Sequence, residues 1–300
     1  MSIVIIDWKG SGSALKKQLL NQTFQDYETI VVQHVAPIAR ARNMGADIAK
    51  GDIVIFFDHD VILGNEYFLE KLILPFEQRA NVGIIGPRQL VPDGNWIQNR
   101  LRQEGLYVST ACIDVLTEAQ GIGGPCMAAK TTVFKELGYF NESVISAEDG
   151  EILFRSIKMG LKNYIVPDAF IYHPSPSTYA LMLRQQFIYG RSVARVKRLC
   201  PGWKEGGVYF KHVIIIPIFL LIRTILLPVE ACVPLSFAAG KLRIAPRLQF
   251  APLKACALYL KHLGYCYEYV RIRPGYPPVP AMRKFSVEKI DERNCVVREQ

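Results

Sequence analysis

The chain has 300 residues, room for one large domain with an appendage or for two modest domains. Half of the residues are hydrophobic and 21% are charged, which excludes a disordered chain. The net charge of +9 suits phosphate-bearing substrates, anionic lipid or nucleic acid, and seven cysteines without C-x-x-C spacing argue against a disulfide framework or a zinc site.

Residues 3–6 form a continuous β-branched run, as expected of a strand buried on both faces. Asp7 cuts the run off, far short of a secretory signal, so the N-terminal part is expected in the cytoplasm. Leu15, Leu19 and Leu20 give a helical stripe, and residues 29–32 a second strand. Residues 39–50 read as a helix with Gly51 just past its end, and residues 53–57 as a third strand. A helix over 65–76 and a strand over 82–85 follow. This alternation predicts an α/β fold with a mostly parallel sheet flanked by helices. Ligands bind such sheets at the carboxyl ends of the strands, where Asp7, Gln33 and Asp58 fall.

Residues 87–125 read as irregular, with a turn at 92–95 and the length of a lid. A helix is expected from Glu148 to Met159, stopped by Gly160, then strands at 164–166 and 170–172 ending at His173-Pro174. Residues 178–199 look helical, with Arg184, Arg191, Arg195 and Arg198 on one face. That face is either solvated or turned to an anionic membrane or a pyrophosphate.

Residues 213–239 carry only two charges, Arg223 and Glu230. Residues 251–270 are also apolar, with Lys254, Lys261 and Glu268 seven apart in one stripe. The span 208–271 therefore reads as a membrane-associated helical hairpin, spanning or re-entrant. Basic residues flank both sides, so charge gives no orientation and a monotopic hairpin is favoured. The expected layout is a catalytic domain over 1–175, a basic interfacial helix and linker over 176–207, the hairpin over 208–271 and a tail over 272–300.

Three groups carry candidate chemistry. The strand at 53–57 delivers Asp58-His59-Asp60 to its carboxyl end, where hard oxygen ligands suit Mg²⁺ or Mn²⁺ and a substrate diphosphate. Glu148, Asp149 and Glu151 crowd a helix start, either as dipole complement or as a general base for a hydroxyl. His173, at a strand end, is either structural or a further metal ligand.

As a set these residues resemble the family-2 glycosyltransferases of GT-A fold. The likeness runs through Phe24 to Val32, Ala41-Arg42-Asn43-Met44-Gly45, Ala49-Lys50-Gly51-Asp52 and the acidic strand end. It continues with Glu136 to Glu142, Glu148-Asp149, Arg155, Gly160 and His173, over about residues 1–200. The hydrophobic C-terminal pair is similar to the membrane appendage of many members. The resemblance implies an inverting enzyme that moves a sugar from a nucleoside-diphosphate-sugar to a hydroxyl acceptor, membrane-embedded or lipid-linked, at the cytoplasmic face of a membrane. It implies Asp149 as base and Glu148 as acceptor-placing residue. Asp58, with His59 and Arg42, would contact the donor. Asp60, Asp58 and His173 would hold the metal, and Arg184 and Arg191 would meet the diphosphate or a lipid phosphate.

Three departures stand out. Gln33 replaces the usual base-reading Asp, the segment His34-Val35-Ala36-Pro37 is short, and the first strand runs into Asp7-Trp8, which could take over base recognition. Arg184-Gln185-Gln186-Phe187 replaces the Q-x-x-R-W of processive synthases, which favours single addition. A non-catalytic nucleotide-sugar or membrane scaffold is the competing reading. A nucleotidyltransferase lacks its Gly-rich, Lys-containing loop, and a nucleic-acid partner is unsupported because the basic residues lie beside apolar helices. The oligomeric state is open at this point.

Overall fold

The structure is a computed structural model. It describes residues 1–8, 10, 13–103, 107, 110, 113–144, 146–199, 215–232, 235–238, 241–244, 251–272 and 285–299. It divides into two units: residues 1–93, 107–175 and 277–300, and residues 94–106 and 176–276.

The first unit begins with β1 (Ser2–Ile6), α1 (Ser13–Leu20), β2 (Glu28–Gln33), α2 (Ile38–Ile48), β3 (Ile53–Asp58) and β4 (Ile62–Leu63). Then come α3 (Phe68–Ile73), α4 (Pro75–Gln78) and β5 (Val82–Leu90). The second unit takes α5 (Trp96–Gln103). The first resumes with β6 (Thr117–Glu118), β7 (Cys126–Lys130), α6 (Thr131–Glu136), α7 (Glu148–Lys158) and β8 (Lys162–Tyr172). Helix α8 (Tyr179–Leu199), α9 (Ile215–Cys232), β9 (Leu235–Ala238), β10 (Lys241–Ile244) and α10 (Ala251–Arg271) belong to the second unit. Strands β11 (Phe285–Lys289) and β12 (Asn294–Glu299) return to the first.

The described strands of the first unit form one sheet in the order β11-β12-β2-β1-β3-β7-β5-β8-β4, with β6 on β8. It is mixed, a correction to the mostly parallel sheet expected. Strands β12, β2, β1 and β3 run parallel, while β7 inserts antiparallel between β3 and β5. Periodicity sees that a strand is buried but not which way it runs. Two apolar layers cover the sheet. Leu15, Leu19, Phe68, Leu69 and Leu72 pack on one face with Ile3, Ile5 and Ile55. On the other, Ala41, Met44, Phe134, Ile152 and Leu153 pack with Val4, Val54 and Phe56. This sandwich fixes the carboxyl ends of β1, β2 and β3 in register, with Ile6 opposite both Val32 and Asp58.

Several local expectations change. The helix expected over 65–76 is two short helices, because Pro75 starts a new one. The stretch read as irregular contains the second half of β5, then α5 and β6. The two strands before His173 are one, β8, through Pro167. The tail supplies β11 and β12, and β12 pairs parallel with β2.

In the second unit α8 packs along α10. Glycine permits the approach: a Cβ on Gly190 would lie 1.8 Å from the Lys261 carbonyl oxygen, and one on Gly264 2.1 Å from that of Phe187. Across this contact Arg191 and Arg195 Nε donate to the two oxygens of the buried Glu268, at 2.7 and 2.5 Å. So the polar stripe of α10 turns its acid to a neighbouring helix.

The membrane hairpin expected over 208–271 is not found. Among the described residues no helix is long and apolar enough to cross a membrane. Helix α9 has 18 residues, interrupted by Arg223 and Glu230, where a span needs about 20 largely apolar ones. Residues 235–238 and 241–244, read as the end of the first helix and its connection, pair as an antiparallel ribbon. Helix α10 carries Lys254, Lys261, His262, Glu268 and Arg271. The expected integral or monotopic anchoring at a cytoplasmic membrane face thus has no support in the structure. Lys204, Lys211 and Arg273, read as flanking the hairpin, and Arg247, read in its connection, lie outside the described residues.

Candidate active site

The chemistry-bearing residues of the first unit gather in three groups. The central one is built on Arg42, which α2 buries to 1% exposure beneath the sheet end. Its Nη1 donates to Glu148 Oε1 at 2.5 Å, and its Nη2 to Asp58 Oδ1 at 3.1 Å and to the Gly124 carbonyl at 2.8 Å. Phe140 lies against the guanidinium at 5.3 Å. Asp58 arrives as the last residue of β3, Gly124 from the loop before β7, and Glu148 as the first residue of α7. Asp149 is oriented by backbone: Gly124 N–H donates to Oδ2 at 3.0 Å and Gly150 N–H to Oδ1 at 2.8 Å.

Helix α7 starts abruptly. Ala147 sits at φ 70°, a left-handed conformation that costs an L-residue roughly 1–2 kcal/mol. Such outliers cluster where a structure over-determines a functional geometry. The segment before α7 is tied down from both sides. Asn43 exchanges hydrogen bonds with the Phe140 backbone and donates to Glu142. Arg155, paired with Glu151, donates to the Leu137 and Tyr139 carbonyls.

Carboxylates outnumber cations here, and burial adds to the effect. Burial pushes Glu148 up to about 7; Arg42 opposes the rise and the Asp149 charge adds to it. Asp149 is also raised, by burial first, against its backbone donors and Arg42. Glu148 Oε2 and Arg42 Nε are buried with no partner among the described residues. Cys126, beside Asp58, is a buried thiol pushed well up by burial and so kept protonated and unreactive.

The second group is Asp60 and His173, the latter just past β8, with Nε2 3.4 Å from Oδ1. Burial lowers His173, but Asp60 outweighs it and the imidazole is raised; the same contact holds Asp60 below the ordinary carboxylate range. Among the described residues no group of three or more His, Cys, Asp or Glu could enclose a metal alone. One carboxylate and one imidazole nevertheless fit a divalent cation whose other positions are filled by phosphate oxygens and water.

The third group lies at the carboxyl ends of β1 and β2. Asp7 is buried to 2% and its N–H donates to Val32. Trp8 is half exposed, edge-on to His34 at 6.1 Å. Gln33 is held by Arg298 of β12, a residue that sequence reasoning did not single out. Gly124 was likewise missed, since it acts through its backbone. His59 is half-buried beside Asp58, its N–H donating to Ile6. In the second unit Arg184 is exposed on α8, and Arg191 is engaged by Glu268.

An acidic strand end and an acidic helix start thus gather around one buried arginine at the carboxyl edge of a mixed α/β sheet, in a GT-A-like fold. Residues 17–138 match the family model described as Glycosyl transferase family 2. The chain is 24% identical over 202 residues to the pre-mycofactocin glycosyltransferases of two Mycobacterium tuberculosis strains, CDC 1551 / Oshkosh and ATCC 25618 / H37Rv. That match takes in 65% of this chain and 42% of each relative, so the chain spans well under half the length of these curated relatives. Among solved structures it is similar to the mannosyltransferase PcManGT from Pyrobaculum calidifontis, in complex with GDP-Man and Mn²⁺. There the TM-score is 0.57 at 13% identity, over 90% of this chain and 86% of that one, a likeness of fold.

Proposed function

We propose that this chain transfers a sugar from a nucleoside-diphosphate-sugar to a hydroxyl acceptor, with inversion and one addition per encounter. The observation that carries the reading is the buried acidic cluster of Glu148 and Asp149 around Arg42, next to the Asp58 strand end. Asp149 is the base: its oxygens are fixed by two backbone N–H groups, and burial raises it toward working pH. It would accept the acceptor's hydroxyl proton as that oxygen attacks the anomeric carbon from the side opposite the leaving nucleotide. Glu148, held by Arg42, places the acceptor. Asp58 contacts the donor while Arg42 fixes its rotamer. Asp60 and His173 would hold Mn²⁺ or Mg²⁺, which when bound neutralises charge on the departing diphosphate. The acceptor is a hydroxyl; the lipid-linked acceptor loses its support with the hydrophobic hairpin.

The test is release of nucleoside diphosphate by the purified chain from a panel of nucleotide-sugars with Mn²⁺ or Mg²⁺ and a broad set of hydroxyl acceptors. Turnover should require the cation, and Asp60→Ala should weaken that requirement's apparent affinity by at least about tenfold. Donor binding without turnover across the acceptor panel would favour the scaffold reading instead.

A further inference from the structure

A cavity of about 430 Å³ opens at the amino-end side of the sheet, away from the acidic strand ends. Helix α1, the start of β2 and the turn between β11 and β12 enclose it. Asn294, at the start of β12, pairs with Thr29, so the hairpin turn lies beside the chain that leads into β2. The floor is apolar: Leu19 and Val31 are buried members of one sheet layer, with Thr29 buried beside them. Leu20 and Ile290 stand exposed at the rim. Two cations reach the cavity from different walls. Lys16 lies one turn before Leu19 and Leu20, on the same side of α1. Arg293 comes from the hairpin turn, and its Nη1 donates to the Gln25 carbonyl at 3.3 Å, bridging the turn to the loop before β2. That bond uses one of five guanidinium N–H groups. Among the described residues no carboxylate lines the cavity. The neighbouring acids are engaged elsewhere. Glu28 accepts from the Ser2 hydroxyl and the Lys50 N–H, and Asp291 accepts from the Arg293 and Asn294 backbone and the Asn294 side chain.

We infer that this cavity is a second ligand site, for a small amphipathic anion with an apolar body and one acidic head group. Its volume falls within the roughly 300–1,000 Å³ of small-molecule sites, which combine an apolar lining with a few placed polar groups. The apolar body covers Leu19, Val31 and the two rim side chains, removing their surface from water. The head group meets Lys16 and the remaining guanidinium N–H groups of Arg293. A cationic molecule of the same shape is repelled by that pair, and a neutral one leaves it unsatisfied. The walls come from residues 16–31 and 290–295, so an occupant ties the C-terminal hairpin to α1. The inference does not rest on sugar transfer, whose residues lie at the opposite ends of the strands.

Titration of the full chain with the fluorescent anion anilinonaphthalene sulfonate tests this, with octanoate, octanol and octylammonium as competitors. The dye should saturate one site. Octanoate should displace it at least about tenfold more readily than octanol or octylammonium. The double substitution Lys16→Glu with Arg293→Glu reverses both charges and should weaken dye and octanoate binding at least about tenfold. Melting curves report whether the variants fold. Lys16→Met leaves the hairpin untouched and should by itself weaken octanoate about threefold. Undiminished binding in the folded double variant, as dye on the exposed apolar residues of α9 would give, overturns the inference. Equal displacement by octylammonium, or no saturable binding at all, overturns it too. Displacement of the dye by UDP or GDP with Mn²⁺ would locate the dye at the proposed donor site and overturn the inference while leaving sugar transfer standing.

Discussion

Two charge clusters in this chain are inverses of one another. In the sheet unit one buried guanidinium, Arg42, serves Asp58 and Glu148, with Asp149 beside them. In the helical unit one buried carboxylate, Glu268, serves Arg191 and Arg195. The signs of the shifts follow. Burial raises both Glu148 and Glu268, but a single arginine shared with other acids leaves Glu148 raised, whereas two arginines to itself leave Glu268 lowered. An acid that keeps its proton near neutrality can take part in proton transfer; an acid that never protonates there can only fix two helices. Similar residues, counted differently, separate a reactive site from a clamp.

The sharpest way to break this contrast is at Asp149. Asp149→Asn should lower kcat by about 10³-fold, within the range a general base supplies, while nucleotide binding by calorimetry changes little. Wild-type turnover would remove the base from the site. Next in size is the clamp. Glu268→Gln leaves two arginines without their carboxylate and should cost about 3 kcal/mol in unfolding free energy, measured with denaturant. A cost near zero would make the ion pair incidental to α8–α10 packing.

The pH dependence sharpens the comparison further. Glu148 binds its proton more tightly folded than unfolded, so its contribution to stability is fully present below its ordinary value of 4.5 and is lost as pH rises through about 7. Glu268 runs the other way: its contribution is present above its ordinary value and lost as pH falls through the lowered folded one. Between about pH 5 and about pH 8, Glu148→Gln should therefore gain several degrees in Tm relative to the wild type, whereas the deficit of Glu268→Gln should stay nearly constant. A pH-independent Glu148→Gln difference would mean that burial does not raise this acid in the folded chain. The smallest effect is at Gly124. A Cβ there would lie 3.2 Å from Asp149 Oδ2 and 3.3 Å from Arg42 Nη2. Gly124→Ala should reduce kcat about tenfold by turning the base, with Tm nearly unchanged.

Much of the sheet unit could be read from the chain. Alternating β-branched runs and helical stripes located β1, β2, β3, α2 and α7 to within a few residues, and Asp58, Glu148 and His173 stand out because they end a strand or start a helix. Strand direction was not legible, because burial on both faces looks the same in either sense; hence the antiparallel β7 came only with the structure. Arg42 illustrates the limit best. The sequence placed it in a run of family type with donor contact as the expected role; its burial and its hydrogen bonds to Glu148, Asp58 and Gly124 came only with the structure. The apolar C-terminal half misled for a related reason. Its composition resembles a lipid-facing pair, yet Glu268 turns inward to α8, and residues 235–238 and 241–244 are strands β9 and β10.

Local order thus came from the sequence itself: side-chain periodicity and the stereochemistry of Gly and Pro act within a few residues and need no partner. Placement of the acidic strand end and the acidic helix start at carboxyl-edge positions is of that kind. Which acid is raised toward neutrality, which arginine is spent on a neighbour, and which way the Gln33 carboxamide faces are different. They depend on burial and on partners 106, 77 and 265 residues away along the chain. Coulomb and desolvation energies are set by distance and dielectric in space, and only the folded chain fixes both.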